Sequence, residues 1–130
     1  MTKKLLLLGA NGQVGSACKY LLARRDETSL TPERGRLDLS DSRAVRAYLA
    51  LERPDVIING AAFTAVDKAE DEVALCYALN RDLPKELARY CADTSAKLIH
   101  YSTDYVFSGD GTDSFTESDE TKPLNVYGQS

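Results

Sequence analysis

The sequence predicts a doubly wound α/β fold, in which helices cover both faces of a parallel sheet. Short apolar runs alternate with longer stretches in which apolar residues recur every three to four positions. Strands that alternate with helices in this way are joined by right-handed crossovers and lie parallel. With 130 residues, the chain has the usual size of one domain. We therefore expect about four strands with flanking helices.

The first predicted unit is a strand, a glycine turn and a helix. Residues 4–8 are a short apolar run closed by Gly9, which is typical of a strand buried on both faces. From Gly12 onwards the apolar residues recur at helical spacing, and the helix is expected to end near Arg24. Its apolar face comprises Val14, Ala17, Cys18, Leu21 and Leu22.

The second unit is a weak strand at about residues 28–31, followed by a helix that carries Val45 and Leu49. Ser40 is expected to be the N-cap of that helix, because a serine oxygen can accept from the first free amides. Pro54 disfavours the helical conformation at the residue before it and therefore ends the helix.

The remaining strands are predicted at residues 55–59 and 97–103, on either side of a long helical stretch. Pro84 is expected to kink that stretch or to restart it near Asp82. Residues 104–130 have no clear period and predict a long loop over the carboxyl edge of the sheet.

Composition excludes several classes of protein. The hydrophobic share of 43% and the charged share of 28% are those of a soluble globular protein. No window approaches the roughly 18 apolar residues of a membrane span. The net charge of -4 without a basic stripe argues against a nucleic-acid partner. The apolar run near the N-terminus is too short for a signal peptide, so the expected location is cytoplasmic.

The three cysteines and the acidic residues give no metal site. The cysteines are widely spaced, without ligand spacing, and are expected to be buried thiols. The acidic residues near one helix start are interpreted as a solvated face that matches the helix dipole. His100, the single histidine, is interpreted as a core or hydrogen-bonded residue rather than an acid or base. The acidic run comprises Asp67, Glu70, Asp71 and Glu72.

The glycine turn, "GANGQVG" at residues 9–15, predicts dinucleotide binding. Gly9 permits the tight turn, Gly12 lets the backbone approach a pyrophosphate, and Gly15 allows close helix packing. The alternative is a set of turn and packing glycines without a ligand. The predicted cofactor residues here are Gly9, Asn11, Gly12, Gln13, Val14 and Gly15.

The end of the second strand favours NADP(H) over NAD(H). An acidic residue there would bond the ribose 2'-hydroxyl, whereas an arginine accommodates a 2'-phosphate. Thr31 lies where the acid is expected, Glu33 is close, and Arg34 and Arg36 are within reach. The alternative is that these arginines are only exposed loop residues. Asp38 is a candidate for contact with the adenine edge, or else a helix cap.

Four segments together resemble the extended short-chain dehydrogenase/reductase superfamily, and most closely its dTDP-4-dehydrorhamnose reductase family. "GANGQVG", "NGAAFTAVDKAE", "HYSTDYVFSG" and "PLNVYGQS" occur in the order and at about the separations seen there. The resemblance covers residues 5–129. "TAVDKAE" and "STDYVFSG" are specific to the family, whereas the glycines are shared by the superfamily. The implied fold is a Rossmann-like doubly wound parallel sheet, represented here by its N-terminal part.

The resemblance also implies which residues contact ligands. Thr103 and Tyr127 match the catalytic hydroxyl pair of the family, and Thr103 with Asp104 borders the sugar. The implied cofactor contacts are Gln13, Val14, Asp38, Leu39, Ala62, Phe63, Thr64 and Tyr101.

The implied reaction is the NADPH-dependent reduction of the C4 ketone of dTDP-4-dehydro-L-rhamnose. Thr103 would bond the carbonyl oxygen, and Tyr127 would deliver the proton. In the family a lysine follows the tyrosine by four residues, and this chain ends at Ser130, one residue earlier. Magnesium is implied by the resemblance alone, and no ligands for it can be placed.

We therefore expect residues 1–130 to be a truncated dinucleotide-binding domain without its C-terminal substrate domain, inactive alone. Tyr127 should open a helix too short to nucleate in water, so it is expected to lie on a frayed terminus. The exposed sheet edge would favour a homo-oligomer. The alternatives are a non-catalytic dinucleotide-binding or regulatory module, and another nucleotide-sugar reductase or epimerase of the superfamily.

Overall fold

Residues 3–130 are described by a computed structural model, in which four strands form one parallel sheet. The strand order is β2–β1–β3–β4, and Leu5 pairs with Ser29 on one side and with Val56 on the other. The chain therefore moves outward from β1 in one direction and then in the other, which creates a switch point beside β1. The strands are β1 Leu5–Leu8, β2 Ser29–Leu30, β3 Val56–Asn59 and β4 Lys97–His100.

Helices follow each of the first three strands, as the sequence predicts. The first two are α1, Gln13–Ala23, and α2, Ser42–Glu52. Two short helices come after β3, and a longer one leads into β4. These are α3 Val66–Ala69, α4 Val73–Tyr77 and α5 Leu83–Thr94. The predicted doubly wound parallel α/β fold is confirmed.

The main core lies between the sheet and helices α2 and α5. Leu6 and Leu8 of β1 and Ile57 of β3 are at most 1% exposed and pack with residues of both helices. Leu7 points to the opposite face because side chains alternate along a strand, and α1 contacts β1 on that side. From the helices the core takes Val45, Leu49, Leu83 and Leu87.

Pro84 restarts the helix, as predicted. A π-helical segment, Ala78–Asp82, joins α4 to α5, and Pro84 lies in the first turn of α5. Proline has no amide hydrogen, so the carbonyl of Asn80 cannot accept the usual bond from it. The looser π-helical turn accommodates this lost bond.

Asp41, not Ser40, is the N-cap of α2. The Asp41 carboxylate accepts from the amides of Arg43 and Ala44 at 2.8 and 3.2 Å. The Ser40 amide and hydroxyl instead both donate to Asp38. The prediction for Ser40 was therefore wrong by one residue.

The fourth strand ends three residues earlier than predicted, at His100. Residues 101–103 leave the sheet and lead into a 3₁₀ turn, Asp104–Val106. The predicted long loop also ends in a short helix, α6, Val126–Gln129. Ile99 on the edge strand β4 is 46% exposed, and self-association through this edge stays a prediction.

Of the cysteines, Cys76 is buried, whereas Cys18 and Cys91 are half-buried. The expectation of buried thiols therefore holds fully only for Cys76. Within residues 3–130, none of the helices has the length and apolar character needed to cross a membrane.

We predict that Leu49→Ala lowers the free energy of unfolding by about 2–5 kcal/mol, because it opens a cavity in the core. Leu51 lies on the same helix but is 76% exposed, so Leu51→Ala is the matched control. Its effect should stay within about 0.5 kcal/mol. Urea unfolding followed by circular dichroism measures both, and equal losses would contradict the position of the core.

Candidate cofactor and substrate site

A cleft of about 670 Å³ opens beyond the carboxyl ends of β1 and β3. This volume is within the range of small-molecule and cofactor sites, and it lies at the switch point where open α/β sheets bind ligands. The glycine turn, the loop between β2 and α2, and the segment after β3 form its walls. Seven predicted cofactor residues line it: Gly9, Asn11, Gly12, Arg34, Asp38, Leu39 and Ala62.

The glycine turn is built by a close approach between two of its residues. Gly9 has a φ of +70°, and its carbonyl accepts from the Gly12 amide at 3.0 Å. Gly15 is buried, and a Cβ at this position would overlap the Gly9 carbonyl. Among the residues described, no side chain caps α1, which starts at Gln13. The first amides of the helix can therefore bind an anion.

The loop between β2 and α2 contributes charges of both signs. Asp38 accepts from the Ser40 hydroxyl at 2.6 Å and from the Ser40 amide at 2.9 Å. These bonds, and then nearby Arg34, hold the pKa of the Asp38 carboxyl below its ordinary value. Asp38 is therefore an anion at neutral pH, and its bonds with Ser40 leave its alternative role as a local cap open.

Lys19 also lines the cleft, from α1, and sequence reasoning missed it. A signal was available, because Lys19 follows Gly12 by seven residues and Gly15 by four. These spacings place the three residues on one face of the helix. Together with Arg34, Lys19 brings positive charge to the cleft from two different walls.

The segment after β3 is held by the side chain of Asn59, which is 2% exposed. Its Oδ1 accepts from the Ala61 amide at 3.2 Å, so its Nδ2 is the donor in the 3.2 Å contact with His100 Nδ1. Only an unprotonated Nδ1 can accept this bond. His100 is therefore hydrogen-bonded and neutral, as one of its two interpretations from the sequence requires, but it is exposed and not part of the core.

The next part of the same segment is held by Asn80 of the π-helical turn. Its Oδ1 accepts from the Phe63 amide at 2.8 Å, and its Nδ2 donates to the Phe63 carbonyl at 3.0 Å. Sequence reasoning assigned no role to either asparagine: Asn59 begins the segment "NGAAFTAVDKAE" but has no ligand role there, and Asn80 lies in no motif. Phe63 and Thr64 lie outside the walls of the cleft, as do Gln13 and Val14.

Thr103 lies beyond β4 and caps the 3₁₀ turn. Its hydroxyl accepts from the Tyr105 amide at 3.2 Å and donates to the Asp104 carboxylate at 3.3 Å. Thr103 is half-buried, whereas Asp104 and Tyr101 are exposed. All three residues belong to the segment that leaves the carboxyl end of β4.

Tyr127 lies on α6, which is docked rather than frayed. The Asn125 side chain accepts from the Gly128 amide at 2.8 Å, and the Glu70 carboxylate accepts from the Val126 amide at 2.9 Å. The Tyr127 ring meets the Tyr105 ring edge to face, with centroids 5.2 Å apart. The expectation of a frayed end was wrong because side chains from elsewhere satisfy the helix amides in place of a longer helix.

The other end of α6 is also fixed. The Ser130 hydroxyl donates to the Tyr127 carbonyl at 2.8 Å and accepts from Asn80 Nδ2 at 3.0 Å. The Cys76 thiol donates to the same hydroxyl at 3.2 Å. Thr103 and Tyr127 therefore lie on neighbouring elements that meet at Tyr105, one through its amide and the other through its ring.

No metal centre is formed within residues 3–130. In this part of the chain, no group of three or more histidine, cysteine, aspartate or glutamate side chains could hold an ion. The magnesium implied by the resemblance therefore has no ligand cluster of this kind among the described residues, and no step of the chemistry is derived through it.

A glycine turn at the switch point of a parallel sheet, with hydroxyl side chains beyond the neighbouring strand, is the arrangement of a Rossmann-like α/β domain. Comparison with known proteins identifies the family to which this domain belongs. The family model described as the RmlD substrate binding domain matches residues 3–130, and the chain belongs to this family.

Several curated relatives are named dTDP-4-dehydrorhamnose reductase. The dTDP-4-dehydrorhamnose reductase of Streptomyces griseus is 45% identical over 123 residues, which are 95% of this chain and 40% of the relative. That of Mycolicibacterium smegmatis is 42% identical over 130 residues, 99% of this chain and 39% of the relative. The chain therefore spans less than half the length of these curated relatives.

Solved structures agree with the fold. A dTDP-4-dehydrorhamnose reductase from Bacillus anthracis, in complex with NADP, is 33% identical with a TM-score of 0.89. The alignment covers 99% of this chain and 46% of that one. The UDP-glucose 4-epimerase of Thermus thermophilus has a TM-score of 0.75 over 97% of this chain and 46% of that one, but at 22% identity it shows the fold alone.

We predict that the protein loses stability between pH 7 and pH 5.5 through His100. Partial burial lowers the pKa of His100 in the folded state, whereas the unfolded residue titrates near pH ~6.5. Below pH ~6.5 the unfolded chain binds more protons than the folded chain does. The free energy of unfolding is therefore larger above pH ~6.5 and decreases as the pH falls toward the pKa of His100 in the folded state.

The variant His100→Asn tests this prediction. Its amide oxygen replaces the Nδ1 acceptor but cannot titrate, and no other histidine exists in the chain. The urea midpoint of the parent should fall more than that of the variant over this range. An equal fall in both proteins would mean that other groups cause it.

Proposed function

We propose that this chain is the cofactor-binding part of an NADP(H)-dependent reductase that acts on the C4 ketone of dTDP-4-dehydro-L-rhamnose. One observation carries the proposal: the cleft at the switch point lies at the same sheet edge as the Thr103 and Tyr127 elements. A cofactor and a carbonyl substrate would therefore meet beyond the carboxyl ends of β3 and β4. The names of the relatives support this substrate.

The preference for NADP(H) is supported by the charges of the cleft. Lys19 and Arg34 line it from two walls and can bind a 2'-phosphate by charge-assisted hydrogen bonds. Thr31, at the position where an acid is expected for NAD(H), also lines the cleft, and Glu33 lines it two residues later, directly before Arg34. The relative from Bacillus anthracis was solved with NADP. Asp38, ionised and adjacent, is proposed to bond the adenine edge.

When bound, the cofactor supplies the hydride, and the residues of this chain handle the substrate oxygen. The Thr103 hydroxyl donates to Asp104 over 3.3 Å, a long bond that it can exchange for a ketone oxygen. Tyr127 is proposed to donate the proton that neutralises the alkoxide. A free phenol titrates near pH ~10, so proton transfer near neutrality needs a nearby cation. The family resemblance places a lysine four residues after the tyrosine.

A second sugar substrate is supported by another relative. The dTDP-4-keto-6-deoxy-D-glucose reductase of Streptomyces niveus is 38% identical over 129 residues, which are 99% of this chain and 45% of the relative. Thr103 and Tyr127 would supply a contact to a ketone oxygen and a proton donor, which both sugars require. The choice between them is proposed to depend on residues outside this chain.

We predict that the purified chain binds NADPH more tightly than NADH in calorimetric titrations. Arg34→Ala and Lys19→Ala should each weaken NADPH binding about tenfold and change NADH binding little, because each removes one contact to the 2'-phosphate. Arg25→Ala, an exposed change outside the cleft, is the control. Absence of heat with either cofactor would contradict a cofactor-binding chain.

We predict that residues 1–130, joined to the remaining part of the Streptomyces griseus relative, oxidise NADPH in the presence of dTDP-4-dehydro-L-rhamnose. In this chimera Tyr127→Phe should lower kcat about 10²- to 10⁴-fold, because it removes the proton donor. Tyr20→Phe, on a ring that is 61% exposed on α1, should change little. A Tyr127→Phe chimera within twofold of the parent would refute the assigned role.

A further inference from the structure

The segment "TAVDKAE", residues 64–70, is specific to the family, yet beyond Thr64 it has no part in the chemistry above. Its last residue makes a contact that the sequence does not reveal. The Glu70 Oε1 atom accepts from the Val126 amide at 2.9 Å, across 56 residues of sequence. We infer that Glu70 is a positioning residue, which fixes the helix that carries Tyr127.

The contact with Glu70 satisfies an amide at the N-terminal end of α6. The first four amides of any helix have no partner inside the helix, and α6 has only four residues. Asn125 takes the Gly128 amide, and Glu70 takes the amide of Val126, the first residue of the helix. A carboxylate at this end also matches the helix dipole. Both effects stabilise α6 without the length that nucleation in water requires.

The neighbouring helix holds Glu70 at the right distance. Ala69, the last residue of α3, is 0% exposed, and α3 packs against α6. Glu70 follows directly as the C-cap of α3. Among the described residues, the side chains of Asp67, Asp71 and Glu72 make no hydrogen bond to residues 104–130. Glu70 is therefore distinguished from the solvated acidic face around it.

The position of Tyr127 depends on this bond through the backbone. Val126 directly precedes Tyr127, so the Glu70 bond fixes the peptide from which the Tyr127 side chain projects. The Tyr105 ring and the Ser130 hydroxyl hold the other sides of the same turn. A proton donor that is displaced by about 1 Å can lose catalytic efficiency about 10²-fold. The chemical role of Tyr127 rests on the proposed function, whereas its placement by Glu70 does not.

The test uses the 130-residue chain and nuclear magnetic resonance, without cofactor or sugar. In Glu70→Ala, hydrogen exchange of the Val126 amide should become about tenfold faster, because a charge-assisted bond is lost. The Tyr127 ring signals should move toward those of an exposed tyrosine as its edge contact with Tyr105 loosens. Glu70→Gln keeps an acceptor oxygen and should restore both signals. Glu72→Ala, the same change on a nearby acid, should leave both as in the parent.

Three results would overturn the inference. The first is Val126 exchange within twofold of the parent in Glu70→Ala. The second is an equal loss of protection at Leu7 and Ile57 of the core strands, since this would show a global rather than a local effect. The third is failure of Glu70→Gln to restore the Tyr127 signals. Because no ligand is used, a chain that fails to bind NADPH would refute the proposed function and leave these measurements intact.

Discussion

The close approach of Gly9 and Gly15 determines the geometry of the candidate cofactor cleft. The two backbones meet with no room for a Cβ between them, so α1 leaves β1 in one direction only. This contact places the uncapped start of α1 at the switch point. It also places Lys19, four residues beyond Gly15, on the wall of the cleft. Any side chain at position 15 would push the helix and both of these features away.

The segment after β3 is held by side-chain hydrogen bonds and not by glycine packing. Its backbone leaves the sheet, so its polar groups lose the bonds that a strand would supply. Asn59 and Asn80 replace those bonds with side-chain amides, from the sheet and from the π-helical turn respectively. His100 completes the arrangement by accepting from Asn59. The loop is thereby ordered without regular secondary structure, and Ala62 is presented to the cleft.

The sequence predicts the parts of this fold that follow from periodicity, and it fails where individual side-chain hydrogen bonds decide. The core of β1, α2 and α5 is readable because apolar spacing reports burial directly. The N-cap of α2 is Asp41 and not Ser40, because the Asp41 carboxylate accepts from the helix amides. The Ser40 hydroxyl instead donates to Asp38. The docking of α6 depends on Glu70, which lies 56 residues away. No local pattern contains such a pairing, so nucleation arguments alone wrongly predict a frayed end.

The two parts of the candidate site therefore differ in what holds them. The candidate cofactor cleft rests on the buried Gly15 and on the leucines of β1, of which Leu6, Leu7 and Leu8 are at most 1% exposed. The Thr103 and Tyr127 elements lie beyond the sheet and are held by single hydrogen bonds and one ring contact, several of them exposed. Segments with few buried apolar contacts open with less free energy than the core does. Motion at this site is thus expected to begin at α6 and the 3₁₀ turn, while the cofactor cleft keeps its shape. Under the proposed function, the sugar substrate would therefore exchange on that side while the cofactor stays in place.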